Sequence, residues 1–394
     1  MQRLGSALCI TILIGCSRMS ATSSLPATSE PTTSASGFKT LYQFKSEKNG
    51  VIPVGALIDV NGTLYGATNF GGNPSKECFP NAGCGTVYDI STSGTFSNLY
   101  RFNGGTSGAR PYAGLIDVSG TLYGTAQEGG KHKKGTVFSL STSGTETVLH
   151  AFAGKDGNDP RTSLTSANGL LYGTTYYGGS AGAGTVFSVS SAGAEKVLHS
   201  FAGGSYDGSL PLGSLIYANK MLYGTTSSGG TNGEGTVFEV SPSGSNYTVL
   251  HSFQGSADGA YPFAGLTESN GVLYGTTQQG GSHNLGTVFA ITTASGSESV
   301  IHSFGSGKDG SKPLAGLTVL NGQLYGTTSF GGSENLGSIY TISPSGSESV
   351  VHSFPGGAGG QFPDASLTAV GSVLYGTTMW SVGKKDGIAF EFTP

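Results

Sequence analysis

The sequence predicts an all-β fold, a seven-bladed β-propeller with four antiparallel strands in each blade. Three observations predict it: a long repeat, the strand-like runs within each copy, and the offset between the two ends of the repeat. The tripeptide Leu-Tyr-Gly recurs at intervals of about fifty residues, the length of one propeller blade. Its tyrosines are Tyr65, Tyr123, Tyr172, Tyr223, Tyr274, Tyr325 and Tyr375.

The copy that contains Tyr223 shows the four strand-like runs of one repeat. They read Leu210-Pro-Leu-Gly-Ser-Leu-Ile-Tyr, Met221-Leu-Tyr-Gly-Thr-Thr, Gly235-Thr-Val-Phe-Glu-Val and Tyr247-Thr-Val-Leu-His-Ser-Phe. Each run has the length of a strand and is rich in β-branched and aromatic residues, and the residues between them favour turns. Apolar residues do not recur at helical spacing, so helices are not needed.

The two ends of the repeat predict a closed ring. The first repeat-like segment, Phe38-Lys-Thr-Leu-Tyr-Gln-Phe, aligns with the fourth strand of a blade, and the last, Gly387-Ile-Ala-Phe-Glu-Phe, aligns with the third. We expect residues 38–44 to pair with residues 387–392 and to complete the seventh blade, because this arrangement leaves no exposed edge strand.

The N-terminal residues predict export. Residues 1–16 combine Arg3 with a short apolar core and end in Leu13-Ile-Gly-Cys16, which resembles the bacterial lipobox. We interpret residues 1–16 as a lipoprotein signal peptide, Cys16 as the lipidation site, residues 17–37 as a flexible Ser/Thr/Pro-rich tether and residues 38–394 as the propeller. The alternative is an ordinary secretory signal that is cleaved further on. We expect a monomer on the periplasmic or outer surface of a bacterial envelope, held to the membrane by its lipid anchor only.

Composition excludes some classes of partner. The chain has 68 glycines, 11% charged residues and a net charge of −4 without basic clusters, so we expect no nucleic-acid partner. Two cysteines of the propeller, Cys78 and Cys84, lie in an insertion of the first repeat and predict a disulfide, which requires an oxidising compartment. Their spacing makes a poor zinc site.

The repeat consensus carries a family resemblance. Leu-Tyr-Gly-Thr-Thr-x-x-Gly-Gly-x4-Gly-Thr-Val-Phe, followed by Val-Leu-His-Ser-Phe, resembles the GloVer (Gloeo/Verruco) tandem-repeat proteins, which are bacterial surface proteins. The resemblance covers residues 38–394 and is well shown from Tyr274 to Phe304. It implies display outside the cytoplasm and brings no established reaction or catalytic residue. The last repeat departs from the family, since Ser381 and Val382 replace the doubled glycine.

Two sets of repeated polar residues are candidates for metal binding, and we expect both to be structural. The histidine position of the fourth strand holds His150, His199, His251, His302 and His352, with Tyr42 and Tyr100 in the other copies. These residues lie on successive blades, so they cannot converge, and an aromatic body with a polar tip suits a blade edge. Asp156, Asp207, Asp258 and Asp309 each precede glycine, and one isolated acid per loop is a turn former rather than a calcium cage. We expect no metal and no cofactor.

Loop length distinguishes the two faces of the predicted ring. The second-to-third and fourth-to-next-first connections are long and varied, and hairpin geometry places both sets on one face. Binding usually resides in such loops on a rigid scaffold. The two residues after the Thr-Thr positions, which read Ala67-Thr68 and Thr125-Ala126 in the first two copies, vary between blades. Among these residues we select as ligand-binding candidates Phe70, Tyr176, Tyr177, Gln278, Phe330 and Trp380. The alternative is neutral variation at tolerant turn positions.

Three functions remain open from the sequence. The first is a non-enzymatic module that binds a glycan or another surface macromolecule on this face. The second is a carbohydrate-active enzyme, a glycoside hydrolase or lyase, for which the candidate acids that break the repeat pattern are Glu128, Asp159, Asp364 and Asp386. Hydrolysis would require two carboxylates about 5–10 Å apart. The third is a structural envelope spacer without a ligand.

Overall fold

The computed structural model describes residues 37–45, 47–78, 82–305, 307–381 and 386–394. The predicted signal peptide, the lipidation site Cys16 and residues 17–36 of the predicted tether lie outside the described residues. Within the described ranges, no helix is both long enough and apolar enough to cross a bilayer.

Seven blades of four antiparallel strands follow one another around the ring, which confirms the predicted fold class. The innermost strands are Ile58–Val60, Ile116–Val118, Thr165–Ala167, Ile216–Ala218, Thr267–Ser269, Thr318–Leu320 and Thr368–Val370. The second strands, which carry Leu-Tyr-Gly, are Thr63–Phe70, Thr121–Ala126, Leu170–Thr175, Met221–Thr226, Val272–Thr277, Gln323–Thr328 and Val373–Thr378. The third strands are Thr86–Ser91, Thr136–Ser141, Thr185–Ser190, Thr236–Val240, Thr287–Thr292, Ser338–Ile342 and Ile388–Phe392. The outermost strands are Phe96–Arg101, Glu146–Ala151, Glu195–Ser200, Thr248–Ser252, Glu298–Ser303, Glu348–Ser353 and Phe38–Gln43. We number the blades 1 to 7 in this order.

A few short elements lie outside the four-stranded pattern. Val51–Pro53 pairs with the second strand of blade 1, and Gly208–Ser209 pairs with Ser228–Gly229. Single 3-10 turns occur at Glu47–Asn49, Gly105–Ser107, Gly307–Asp309 and Gly357–Gly359.

The N-terminal strand closes the ring as predicted. Phe38 pairs with Phe392 and Gln43 pairs with Ile388, so the outermost strand of blade 7 comes from the start of the propeller. At the centre, each innermost strand lies against the next, and that of blade 7 lies against that of blade 1. The Thr368 hydroxyl donates a hydrogen bond to the carbonyl of Leu57 across this last junction. The sheet edges that a linear array would expose are therefore covered.

Aromatic rings fill the space between neighbouring blades. Phe201, at the end of the outermost strand of blade 3, meets Phe238 of blade 4 edge-to-face, with 5.2 Å between ring centroids. The ring of Phe238 also lies over Gly224 of its own blade, where an added Cβ would stand 2.6 Å from Cζ. This contact explains the glycine of Leu-Tyr-Gly. Equivalent pairs join the other blades: Phe44 with Tyr88, Phe102 with Phe138, Phe152 with Phe187, Phe253 with Phe289, Phe304 with Tyr340, and Phe354 with Phe390.

Candidate functional site

The face formed by the second-to-third and fourth-to-next-first connections, here the long-loop face, is built on a threonine at the end of the second strand. In blade 4, the Thr226 hydroxyl lies 2.7 Å from that of Thr236 and donates a 2.9 Å hydrogen bond to the carbonyl of Ser228. This bond fixes the turn that presents the variable pair of residues. The same bond to the carbonyl two residues on occurs at Thr68, Thr175, Thr277, Thr328 and Thr378.

A second variable position on this face has left-handed backbone without glycine. It is the residue before a repeated proline, with φ between 54° and 63° in every blade. Such backbone costs of order 1–3 kcal/mol for a residue with a side chain and persists only where the surroundings hold it. In blade 2, the Arg110 amide donates to Cys84 of blade 1, and the Arg110 carbonyl accepts from Gln127. The residues at this position are Ile52, Arg110, Asp159, Leu210, Tyr261, Lys312 and Phe362.

Three aromatic side chains form a continuous strip across blades 6 and 7, here the aromatic arc. The ring centroids of Phe330 and Phe362 are 5.1 Å apart, and those of Phe362 and Trp380 are 5.4 Å apart. Lys312 Nζ lies 5.5 Å from the Phe330 centroid at one end of the strip. All three rings are half-buried, so each keeps part of its surface in solvent.

Blades 1 and 2 continue this face with a cation, the Arg110 group of Phe70, Arg110 and Glu128. The Arg110 guanidinium lies 4.7 Å from the Phe70 ring centroid, and its Nη1 donates to Glu128 Oε1 at 2.7 Å. Beneath the group, Asn69 Nδ2 and Gln127 Oε1 are buried without a hydrogen-bond partner in the described part of the chain. This region therefore offers a flat ring and an arginine paired with a partly exposed carboxylate.

The disulfide supports the Arg110 group. Cys78 and Cys84 are bonded in the structure, with 5.5 Å between their Cα atoms, and the Cys84 carbonyl accepts the Arg110 amide at 2.6 Å. The insertion in blade 1 thereby positions a residue of blade 2.

Near the ring axis, three residues that follow the repeated proline lie close together. They are Tyr112 of blade 2, Arg161 of blade 3 and Asp364 of blade 7. Arg161 donates two hydrogen bonds to Asp159, of 3.0 and 2.6 Å, and its guanidinium lies 4.2 Å from the Tyr176 ring centroid. Tyr112 of blade 2 lies beside them, 39% exposed, with Arg161 5.9 Å from its ring centroid. We call Tyr112, Asp159, Arg161, Tyr176 and Asp364 the axial cluster.

Asp364 is the carboxyl group of this cluster that has a raised pKa. Its Oδ1 accepts a 2.6 Å hydrogen bond from Ser329, but burial dominates and raises the pKa of the carboxyl group to about 6. Desolvation by the surrounding side chains, and then the negative charge of Asp364, raise the pKa of Tyr112. Asp364 enters from blade 7 and Tyr112 from blade 2, so residues from both sides of blade 1 share one electrostatic environment.

The structure divides the predicted ligand contacts into two groups. Phe70 belongs to the Arg110 group, and Phe330 and Trp380 belong to the aromatic arc. Tyr176 belongs to the axial cluster, and its ring centroid lies 4.5 Å from that of Tyr177. Gln278 belongs to neither group. Its backbone amide donates to Tyr261, and the described contacts include none between its side chain and either group.

The structure brings two of the four candidate acids, Asp159 and Asp364, into the axial cluster and leaves Glu128 and Asp386 outside it. Glu128 is paired with Arg110, and Asp159 is paired with Arg161. Asp364 is bonded to Ser329, and Asp386 shows no contact with the other three among the described residues.

Sequence reasoning missed Arg110, Tyr112, Arg161, Lys312 and Phe362. All of them flank the repeated proline before the innermost strand, for example Arg110 and Tyr112 on either side of Pro111. The signal that could have found them is the variation of these flanking positions between otherwise similar repeats.

The expectation of one isolated acid per loop is wrong at three of the blade–blade seams. His150 Nε2 lies 2.8 Å from Asp156 Oδ2, and Glu195 of the next blade completes a group of three. The sequence hid this grouping because its third member comes from a different repeat. Asp156 still acts as a turn former, since its Oδ1 accepts the Ala153 amide. Burial first, and Asp156 second, raise the pKa of Glu195 to about 7.

Comparison with known families gives one match. The family model described as the Gloeobacter/Verrucomicrobia repeat matches residues 13–187 and 175–390, which together span nearly all of the propeller. A search of curated proteins gave no match.

Solved structures show the same fold at low sequence identity. The extracellular domain of a putative one-component system from B. thetaiotaomicron aligns with a TM-score of 0.58 and 10% identity over 90% of this chain, which spans 40% of that protein's chain. An oligogalacturonate lyase in complex with manganese aligns with a TM-score of 0.55 and 9% identity, covering 92% of this chain and 94% of the lyase. A putative 6-phosphogluconolactonase from Bacteroides uniformis aligns with a TM-score of 0.51 and 17% identity over 74% of this chain and 84% of its own.

Proposed function

This chain belongs to the Gloeobacter/Verrucomicrobia repeat family, and on that premise we propose that it is an exported propeller whose long-loop face binds a glycan. The observation that carries the proposal is the aromatic arc, in which Phe330, Phe362 and Trp380 form one contiguous strip held by rigid strand ends. Contiguous, partly exposed aromatic side chains that are rimmed by polar residues mark interaction sites.

The chemistry of the face suits a saccharide. A sugar ring has an apolar face of C–H groups and a rim of hydroxyls, so it needs flat apolar surfaces beside hydrogen-bonding atoms. The arc supplies the flat surfaces, and the Lys312 ammonium group and the Glu128 carboxylate supply polar atoms beside aromatic rings of this face. Lys312 and Arg110 flank the aromatic surfaces, which favours a glycan that carries carboxylate or sulfate groups.

The proposed location is the bacterial envelope, outside the cytoplasm. The lipobox-like Leu13-Ile-Gly-Cys16 supports lipid anchoring at Cys16, and the Cys78–Cys84 disulfide suits an oxidising compartment. Replacing Cys16 with serine should release the protein from membranes if the lipid anchor is its only attachment. Protein that stays in the membrane fraction after this change would contradict the anchor.

A glycan array tests the binding proposal. Wild type should bind a subset of acidic glycans. The double variant with Trp380→Ala and Phe362→Ala should lose at least tenfold in affinity, because two stacking surfaces are removed. The matched control is Tyr206→Ala, which removes an aromatic that is 96% exposed and lies outside the arc. Equal binding by all three proteins would contradict the proposal, and no binding to any glycan would favour the structural spacer.

A second candidate function rests on Asp364. A carboxyl group with a pKa of about 6 can exchange a proton near neutral pH, as an acid or base in glycan cleavage must. Glu128 and Asp159 are each engaged by an arginine, which disfavours a hydrolytic carboxylate pair. A lyase would instead remove the proton next to a uronate carboxylate, break the glycosidic bond and leave a carbon–carbon double bond in the sugar.

Product analysis separates the lyase from the binding module. If the chain is a lyase, incubation with bound glycans should release unsaturated sugars, and Asp364→Asn should abolish them while glycan binding is retained. Binding without any product supports the module alone.

A further inference from the structure

Three blade–blade seams carry the same group of three potential metal ligands. In each group, one imidazole nitrogen and one oxygen from each of two carboxylates lie within 4.8 Å of one another. The histidine and the aspartate come from one blade and the glutamate comes from the next. The groups are His150, Asp156 and Glu195 between blades 2 and 3; His251, Asp258 and Glu298 between blades 4 and 5; and His302, Asp309 and Glu348 between blades 5 and 6.

The aspartate of each group is oriented by the loop that contains it. In blade 4, Asp258 Oδ1 accepts the Gln254 amide at 2.8 Å, and Oδ2 lies 2.9 Å from His251 Nε2. Asp156 has the same two partners in blade 2, His150 and the Ala153 amide. One aspartate oxygen therefore accepts a hydrogen bond from the backbone, and the other faces the histidine and the glutamate.

In each group, two carboxyl groups share one imidazole as their neighbour. Glu195 Oε1, Glu298 Oε1 and Glu348 Oε1 are buried, and none has a hydrogen-bond partner in the part of the chain that the structure describes. Within those same residues, the ion pairs of the aspartates are with their histidines alone, and no lysine or arginine reaches them. A buried carboxylate oxygen without a partner is costly, and a cation held between the three side chains would remove that cost.

We propose that each group binds a divalent first-row transition cation, with Zn²⁺ as the best fit, and that the cation links neighbouring blades at the outer rim. One imidazole nitrogen and two carboxylate oxygens are ligands of the type that Zn²⁺ accepts, and water completes a tetrahedron around three protein ligands. Calcium would require six to eight oxygen ligands, which these groups do not supply.

The remaining seams provide internal controls. Between blades 3 and 4, His199 and Asp207 are present but Tyr247 replaces the glutamate, and its hydroxyl donates to Asp207 Oδ1 at 2.6 Å. Between blades 1 and 2, Tyr100 replaces the histidine beside Glu146, whose Oε1 is also buried without a hydrogen-bond partner among the described residues. The complete groups therefore differ from this seam in their ligand set, not in the buried glutamate oxygen. The proposal therefore requires three cations per chain, one for each complete group.

Metal counting on the full-length protein tests this assignment. The protein is stripped with a chelator, loaded with Zn²⁺, dialysed, and measured by plasma mass spectrometry and thermal unfolding. We expect three bound zinc ions per chain and a higher melting temperature than in the stripped protein. Glu195→Gln should retain two ions, whereas Glu146→Gln, the matched change at an incomplete seam, should retain all three.

A gain-of-site variant makes the test two-sided. Tyr247→Glu completes the ligand set with His199 and Asp207 and should raise the count by one ion. The proposal is overturned if the stripped and loaded proteins melt together without retained zinc, or if Glu195→Gln retains as much zinc as wild type. A folded Tyr247→Glu protein without an extra ion would contradict the role of the glutamate. Stabilisation by Ca²⁺ but not by Zn²⁺ would contradict the choice of metal.

Discussion

At the scale of single residues, the glycine of Leu-Tyr-Gly and the aromatic ring opposite it explain why the repeat tolerates little change. The ring over Gly275 belongs to Phe289, and an added Cβ would stand 2.3 Å from its Cζ atom. Five blades have phenylalanine at this position, whereas blades 1 and 6 have Tyr88 and Tyr340. Both tyrosine hydroxyls are buried, and neither has a hydrogen-bond partner among the described residues.

Tyr340→Phe should therefore stabilise the protein. Removing a buried hydroxyl that has no partner relieves a desolvation cost, so we expect a gain of about 1 kcal/mol in the free energy of unfolding. Urea denaturation measures it, with Phe289→Tyr as the reciprocal control, which should destabilise. A loss of stability in Tyr340→Phe would show that the hydroxyl has a partner, such as a buried water.

At the scale of elements, two positions on the outer rim determine which side-chain contact forms between neighbouring blades. The histidine position of one blade faces the residue that stands four before the histidine position of the next blade, here called the first position. Where that first position is aromatic, the two rings stack: Tyr42 on Phe96 at 4.1 Å, His199 on Tyr247 at 3.6 Å and His352 on Phe38 at 4.1 Å. Where it is glutamate and faces a histidine, the three-ligand groups form.

The seam at the closing strand should be sensitive to acid. His352 is 8% exposed and stacks on Phe38, and the adjacent turn Gly357–Gly359 carries no carboxylate to pair with it. Burial lowers the pKa of His352 from 6.5 to about 4. Between these values the unfolded chain binds a proton that the folded protein does not, so stability falls as the pH drops through this window.

His352→Phe should remove this part of the acid sensitivity. Wild type should lose up to about 3 kcal/mol of stability through His352 as the pH falls across the window, since one pKa unit corresponds to about 1.4 kcal/mol. The variant keeps the ring that stacks on Phe38 and has no proton to bind. Melting curves measured at a series of pH values provide the comparison, and parallel acid limbs for the two proteins would contradict the assignment.

At the scale of the whole molecule, the fold could be predicted from the sequence because every blade repeats the same information. The offset between Phe38 and Ile388 even identified the closing pair of strands. The site was predicted in part. Phe70 and Trp380 could be selected because they stand at the variable pair after the second strand, whereas Arg110 and Phe362 contact Phe70 and Phe330 of the preceding repeats. Contacts between blades leave no periodic trace within one repeat.

The propeller is a closed ring whose blades differ in the residues that they present on the long-loop face. Blades 6 and 7 present the three contacting rings of the aromatic arc, whereas blade 4 presents Leu210 and Ser228 at the corresponding positions. The central claim is that this asymmetry makes one arc of the long-loop face a binding surface for glycans.

The fluorescence of Trp380 tests this claim most directly, because it is the only tryptophan of the chain and lies at one end of the aromatic arc. Titration with acidic oligosaccharides should shift its emission saturably and protect it from a soluble quencher, and Phe362→Ala should weaken both effects. A glycan that binds the protein by calorimetry yet leaves the emission and quenching of Trp380 unchanged would contradict the account.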